Sequence, residues 1–232
     1  MFGKKFKDIN LIKKQPFKFE KSNLEIKEIF NEPNYSFIIV RSKKKQILKM
    51  PVKSFFFISE EEFKKNLKII YSGKDYLSLC EKKNYFIFFN KNILLNDLTV
   101  VKNLKKKVST KKIIVVPKKK YWGYICNLFN KNNSCAKEIF MKQNTQSSME
   151  FHIKKQESYY IYEGELDIGL RYSRAKQKIT KLKKNNIFTM MPGTMHMRMA
   201  KKNTIIIEMS NKDDDTDSII VHDGKTYKFK TN

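Results

Sequence analysis

Two short clusters of carboxylate and imidazole side chains stand out in a chain with only three histidines. The first is Glu150-Phe151-His152, followed after four residues by Glu157 and after six more by Gly164; the second is Met191-Pro192-Gly193-Thr194-Met195-His196. Residues two apart on a strand share a face, so Glu150 and His152 point the same way. Glu157 opens the next strand and Gly164 closes it in a turn. Pro192-Gly193 makes a tight bend that delivers His196 from a distant strand. Two imidazoles and up to two carboxylates then converge, a donor set suited to a borderline divalent ion. His152, Glu157 and His196 are the expected ligands. Glu150 is either a fourth ligand or an acceptor that fixes an imidazole. By the same alternation Tyr159 shares the inward face with Glu157, as core or as a substrate contact, and Arg198 shares that of His196. Arg171 and Arg198 are rare guanidinium groups in a lysine-rich chain, fitted to bidentate contact with an anion.

The elements that must position these residues are strands. Strand-prone runs fall at 113–116, 139–142, 159–162, 166–172, 187–190 and 204–208, separated by polar or glycine-containing turns. That spacing predicts a barrel or sandwich, and a jelly roll closes such strands into two facing sheets. Asn185 stands at a turn and tolerates left-handed backbone. The charged stretch 102–112 reads as a linker, since five of the seven glycines follow it. We therefore expect a mostly β chain: an N-terminal α+β domain over 1–110 and a β-barrel domain over 111–232. In the first part, 36–40, 54–58, 85–89 and 93–101 are strand-prone. Ser59-Glu60-Glu61-Glu62 is a capping box that predicts a helix to about Tyr71, with Phe63, Leu67 and Ile70 on one face. This part has no histidine and no closely spaced glycines. It is expected to act as a scaffold or in oligomerisation, a homodimer being the assembly in view.

Several segments together resemble the cupin superfamily. They are Trp122-Gly123-Tyr124, the run Ser148-Met149-Glu150-Phe151-His152, the Pro-Gly-Thr-x-His turn ending at His196, and the acidic stretch after Glu208 that includes Asp213–Asp217. More closely, they resemble the cupin domain of type II mannose-6-phosphate isomerases and their stand-alone relatives. Glu150 departs from the His or Gln found there, and Ala200 from a frequent Asn. The resemblance implies a C-terminal cupin jelly-roll β-barrel holding one divalent ion (Zn, Mn or Fe). It also implies an isomerase or epimerase of a sugar or sugar phosphate. There a metal would hold the carbonyl and hydroxyl oxygens and a side chain would shuttle the proton. Lys137 and Glu208 are the candidates for that proton transfer. Two alternatives stay open: a non-catalytic sugar-binding or assembly module, and a non-haem iron oxygenase.

Composition narrows the partners. Apolar residues make up 41% of the chain, enough for a packed core. The formal net charge is +26, yet arginine occurs only at 41, 171, 174 and 198. Nucleic-acid sites lean on the bidentate guanidinium, so a solvated lysine surface is expected rather than a nucleic-acid interface. The same charge draws small anions such as sugar phosphates. No apolar run reaches the ~20 residues of a membrane helix, and no leader is legible. Cys80, Cys126 and Cys135 fit a reduced cytoplasm. The run Asp213–Asp217 is expected to be a solvated loop, His222 to lie in a surface turn and Trp122 to pack near the start of the barrel.

Overall fold

Near-continuous apolar runs such as 36–40 and 85–89 demand burial on both faces of a sheet. The computed structural model, which describes residues 15–102, 108–131, 133–171, 177–211 and 213–229, meets that demand. The chain divides into two compact units: Pro16–Lys118 with Cys126–Lys137, and a second built chiefly of Lys119–Ile125 and Glu138–Asn232.

In the first unit, eight strands form one antiparallel sheet. They are β1 (Phe17–Lys21), β2 (Leu24–Glu32), β3 (Tyr35–Ser42), β4 (Gln46–Ser59), β5 (Lys68–Leu79), β6 (Asn84–Phe89), β7 (Thr99–Val101) and β8 (Thr110–Val115). Their order is β1-β2-β3-β6-β4-β5-β8, with β7 beside β4. One face buries Phe55, Phe57, Ile87 and Phe89. On the other, Phe37 stacks on Phe88 at 4.7 Å and Phe56 on Phe129 at 4.3 Å. The strand read at 113–116 thus forms, but as β8 on the edge of this sheet.

Two expectations need correction here. The helix that Ser59 caps (α1, Glu60–Phe63) is one turn long and does not reach Tyr71. Its cap is as expected, Ser59 Oγ accepting from the Glu62 N–H at 3.3 Å. Beyond it, Ile69, Ile70 and Tyr71 are β-prone and find cross-strand partners on β8, and Leu67 is left exposed. The run 93–101 is a strand only over β7, because Leu95–Asp97 turns as a 3-10 helix.

Lys68 opens β5 fully buried, its Nζ donating to the carbonyls of Phe63 and Lys65. Burial pushes its pKa down from 10.5 to about 8. The unfolded chain then holds more protons between those values, so stability should rise with pH from about 8 toward 10.5. Urea denaturation across that window should show the rise in the native protein and lose it in Lys68→Met. An unchanged slope in the variant would show that Lys68 is not its source.

The remaining strands are β9 (Lys118–Lys120), β10 (Gly123–Lys131), β11 (Ser134–Met141), β12 (Met149–His152), β13 (Glu157–Glu163), β14 (Glu165–Arg171), β15 (Gln177–Lys183), β16 (Ile187–Met190), β17 (Met195–Ala200), β18 (Thr204–Ser210) and β19 (Ser218–His222). They form a six-stranded sheet, β16-β13-β18-β11-β10-β9, and a five-stranded sheet, β15-β14-β17-β12-β19. Both contribute to one core: Ile139, Tyr159, Ile161 and Phe188 from the first meet Leu166, Ile168, Leu170 and Leu182 from the second, with Trp122. Asn185 takes the left-handed backbone expected of it (φ 68°), and its side chain accepts from Tyr160 Oη at 2.8 Å. Gly164 (φ +89°) admits no side chain, since a Cβ would lie 2.3 Å from the Asn203 carbonyl oxygen. His222 ends β19 rather than sitting in a turn, and stacks on Tyr227 at 4.2 Å. No helix among the described residues is long and apolar enough to cross a membrane.

Candidate metal centre

The second unit gathers its ionisable side chains from both sheets. On β17, alternation turns His196, Arg198 and Ala200 to one face and Met195, Met197 and Met199 to the other. On β12, Glu150 is the register partner of His196. From the six-stranded sheet, β13 contributes Glu157 and Tyr159, and Glu208 on β18 lies opposite Tyr159 in register. The Pro192-Gly193 bend is tied to this strand system, the Gly193 N–H donating to the His152 carbonyl at 2.6 Å.

Four of the side chains singled out by spacing meet. Ligand atoms of Glu150, His152 and His196 lie within 4.8 Å of one another. His152 Nε2 is 3.3 Å from Glu157 Oε1, and His196 Nε2 is 3.3 Å from Glu157 Oε2. Both Nε2 atoms are buried and neither has hydrogen-bond geometry to any partner. The opposite nitrogens are engaged: His152 Nδ1 with the Asp217 carbonyl and His196 Nδ1 with the Thr194 carbonyl, each at 3.0 Å. A carbonyl can only accept, so each Nδ1 carries a proton and Nε2 is the nitrogen of each ring that faces the cluster. A ring held this way through Nδ1 would bind a metal through Nε2. The donor set and the two unsatisfied nitrogens therefore fit a divalent ion.

Charge in this pocket is closely balanced. Arg198 Nη2 donates to Glu150 Oε1 at 2.6 Å, and Ser218 Oγ to Glu150 Oε2 at 3.0 Å. Burial pushes the Glu150 carboxyl up, but the Arg198 guanidinium and the two imidazoles outweigh it and hold it below the usual value. Glu157 is driven well down against its own burial, chiefly by Lys155 and then by the two histidines. Burial lowers and Glu157 more than restores the pKa of His152, which ends raised. Tyr159 is pushed well above its ordinary range by burial and stays a donor, its Oη bonding Glu157 Oε2 at 2.9 Å. Arg198 also lies over the rings of Trp122 at 5.7 Å and Tyr159 at 5.9 Å.

Two residues central to this arrangement carry no motif. Lys155 is 5% exposed, and its Nζ lies 2.5 Å from Glu157 Oε1, 3.0 Å from Glu208 Oε1 and 3.7 Å from Asp213 Oδ1. Asp217 is buried too, so the last residue of its run departs from the solvated-loop reading while Asp215 and Thr216 are exposed. Its Oδ1 accepts from the Ile153 and Lys154 N–H groups at 3.0 and 3.1 Å, and its Oδ2 from Lys155 N–H at 2.9 Å. It thereby anchors the loop after His152, while its own carbonyl holds the His152 ring. The one available signal was that both residues lie within a few positions of a candidate ligand or of the acidic run.

The other candidates lie on three different strands. Arg171 is half-buried at the end of β14, in register with Met195. Lys137 lies on β11 within the segment that groups with the first unit. Glu208, 2% exposed, contacts Lys155 and approaches Arg198 Nη1 at 3.9 Å.

No family model and no curated protein matches the sequence. Solved structures do match its fold. A Bacillus subtilis oxalate decarboxylase variant superposes with a TM-score of 0.66 at 7% identity, over 90% of this chain and 80% of that one. Another B. subtilis oxalate decarboxylase, described for its Mn(II) centres, gives 0.63 at 8% over 92% and 80%. The fold is that of a cupin. The Lactobacillus farciminis oxalate decarboxylase in its formate complex agrees, with 0.61 at 8% over 90% and 89%. This likeness is one of fold and does not single out the mannose-6-phosphate isomerase branch. The expected mostly β cupin fold is present, and the matches cover 90–92% of the chain.

Proposed function

We propose that this cupin is a metal-dependent enzyme that holds one divalent ion between His152, His196, Glu157 and Glu150 and acts on a small, oxygen-rich anion. The observation that carries the proposal is the pair of buried Nε2 atoms, each on a ring held through Nδ1 by a backbone carbonyl and each facing the same carboxylate. Manganese is the first metal to test, because a structural neighbour is described for its Mn(II) centres. When bound, the ion supplies Lewis-acid charge to substrate oxygens. The chain's own residues do the rest. Tyr159 fixes the Glu157 carboxylate, and Arg198 with Ser218 pins Glu150. Glu208, a buried carboxylate outside the ligand set that shares Lys155 with Glu157, takes the proton-transfer role.

The motif resemblance favours a sugar or sugar phosphate undergoing isomerisation or epimerisation. The structural neighbours favour a short carboxylate, and Arg198 is already committed to Glu150 rather than open to a phosphate. Metal analysis should find about one divalent ion per chain after loading with Mn²⁺, Zn²⁺ or Fe²⁺. A calorimetric screen of the loaded protein should then compare sugars, their phosphates, oxalate and formate. Failure to retain any of the three metals would defeat the proposal. A second reading, a non-catalytic ligand-binding cupin, is favoured by one feature: an ammonium group already sits on Glu157.

A further inference from the structure

We infer that Lys155 is a built-in rival of the metal, so that loading the site is a cation exchange at Glu157. The inference rests on the metal reading above and concerns how the site behaves without its ion. Lys155 Nζ lies 2.5 Å from Glu157 Oε1, the same oxygen that His152 Nε2 faces at 3.3 Å. An ammonium and a divalent ion on one carboxylate oxygen repel each other, and burial leaves little water to screen them. Whichever holds Glu157 Oε1 excludes the other. The structure gives Lys155 somewhere to go: Glu208 Oε1 at 3.0 Å and Asp213 Oδ1 at 3.7 Å are already within its reach. Its backbone is fixed throughout, the N–H being held by Asp217 Oδ2 at 2.9 Å, so only the flexible side chain has to move.

The exchange has a clear energetic sense. Without a metal, partly buried Glu150 and fully buried Glu157 and Glu208 are a cluster of carboxylates whose repulsion would strain the barrel. Arg198 neutralises the first and Lys155 bridges the other two. The metal-free cupin is therefore folded and internally paired. An entering ion must displace an existing partner rather than fill a charge deficit, and its affinity is lowered by that competition. The site is thus tuned to exchange its ion rather than to be built around it.

Metal-stripped native protein, Lys155→Met, Lys155→Arg and Lys154→Met would be titrated calorimetrically with Mn²⁺ and melted in EDTA and in Mn²⁺. Lys154→Met removes the same net charge from an exposed neighbouring position. Removing one partner of a buried ion pair destabilises the unpaired state, so Lys155→Met should bind Mn²⁺ about tenfold or more tighter than native protein. It should also melt lower in EDTA and gain more from Mn²⁺. Lys155→Arg and Lys154→Met should bind nearly as the native protein does. If native protein binds Mn²⁺ and Lys155→Met binds no tighter, or if Lys154→Met tightens binding equally, the exchange is wrong and the metal site stands. Binding by Lys155→Met alone would support the exchange and remove the metal from the native function. Binding by neither would end both. Should Lys155→Met fail to fold, Asp213→Asn removes one resting place and should weaken Mn²⁺ binding several-fold; unchanged affinity there would overturn the inference.

Discussion

Replacing His196 by alanine should weaken Mn²⁺ binding roughly a hundredfold or more, since even losing an outer partner of a ligand costs 10–100-fold. His196 is buried at the centre of the cluster, and its Nε2 has no competing hydrogen bond. Its Nδ1 contact is to a backbone carbonyl, so the substitution touches no side-chain network beyond the approaches to Glu157 and Glu150. The variant should stay folded, with near-native melting in EDTA. Calorimetric titration of stripped protein reads the effect, and an affinity within about threefold of native would mean that His196 is not a ligand. Glu150→Gln, run beside it, settles the role left open at that position. If Glu150 ligates, affinity falls on the same scale. If it only accepts from Arg198 and Ser218, stability falls instead, because the buried guanidinium loses its counter-charge.

Asp217→Ala should cost about 3 kcal/mol or more of stability, because it leaves three N–H donors, one of them fully buried, without their charged acceptor. The groups concerned are the amides of Ile153, Lys154 and Lys155. Asp217→Asn keeps an acceptor oxygen and should lose roughly half as much. Exposed Asp215→Ala, two residues away, should stay within about 0.5 kcal/mol of native. Urea denaturation separates these cases. If Asp217→Ala and Asp215→Ala behave alike, the buried carboxylate is not the anchor described. Metal affinity of the folded Asp217→Ala fraction should fall as well, since the loop it releases leads directly from His152.

The candidate ligand cluster was legible because each of its members carries a local signal. Glu150 and His152 alternate on one strand, Glu157 starts the next, and the Pro192-Gly193 bend announces His196. The face of Arg198 followed from its distance to His196, and its burial bears that orientation out. Its partner did not follow, because pairing with Glu150 depends on β12 lying beside β17, a long-range fact of sheet order. Lys155 was hidden by abundance: in a chain with 49 basic residues, one buried lysine looks like the others. Asp217 was hidden the same way at the end of an acidic run. In the first unit, the cap at Ser59 was readable, but the helix length was not. Phe63, Leu67 and Ile70 have helical spacing, yet the β-prone residues after Leu67 gain more from pairing with β4 and β8.

The position of β12 has a consequence for how the protein is made. This strand, which carries Glu150 and His152, pairs on both sides with strands that come later in the chain, β17 and β19. Its sheet order therefore has a high sequence separation at the very place where the ligands converge. During synthesis the six-stranded sheet can begin to assemble from consecutive hairpin partners such as β10 and β11. β12 must wait for β17 to pair one edge and for residues past 217 to pair the other, and only then does Asp217 take hold of the His152 ring. The site is thus the last part of the barrel to exist, and a nascent chain stalled before β19 exposes an unpaired strand edge instead of a binding pocket.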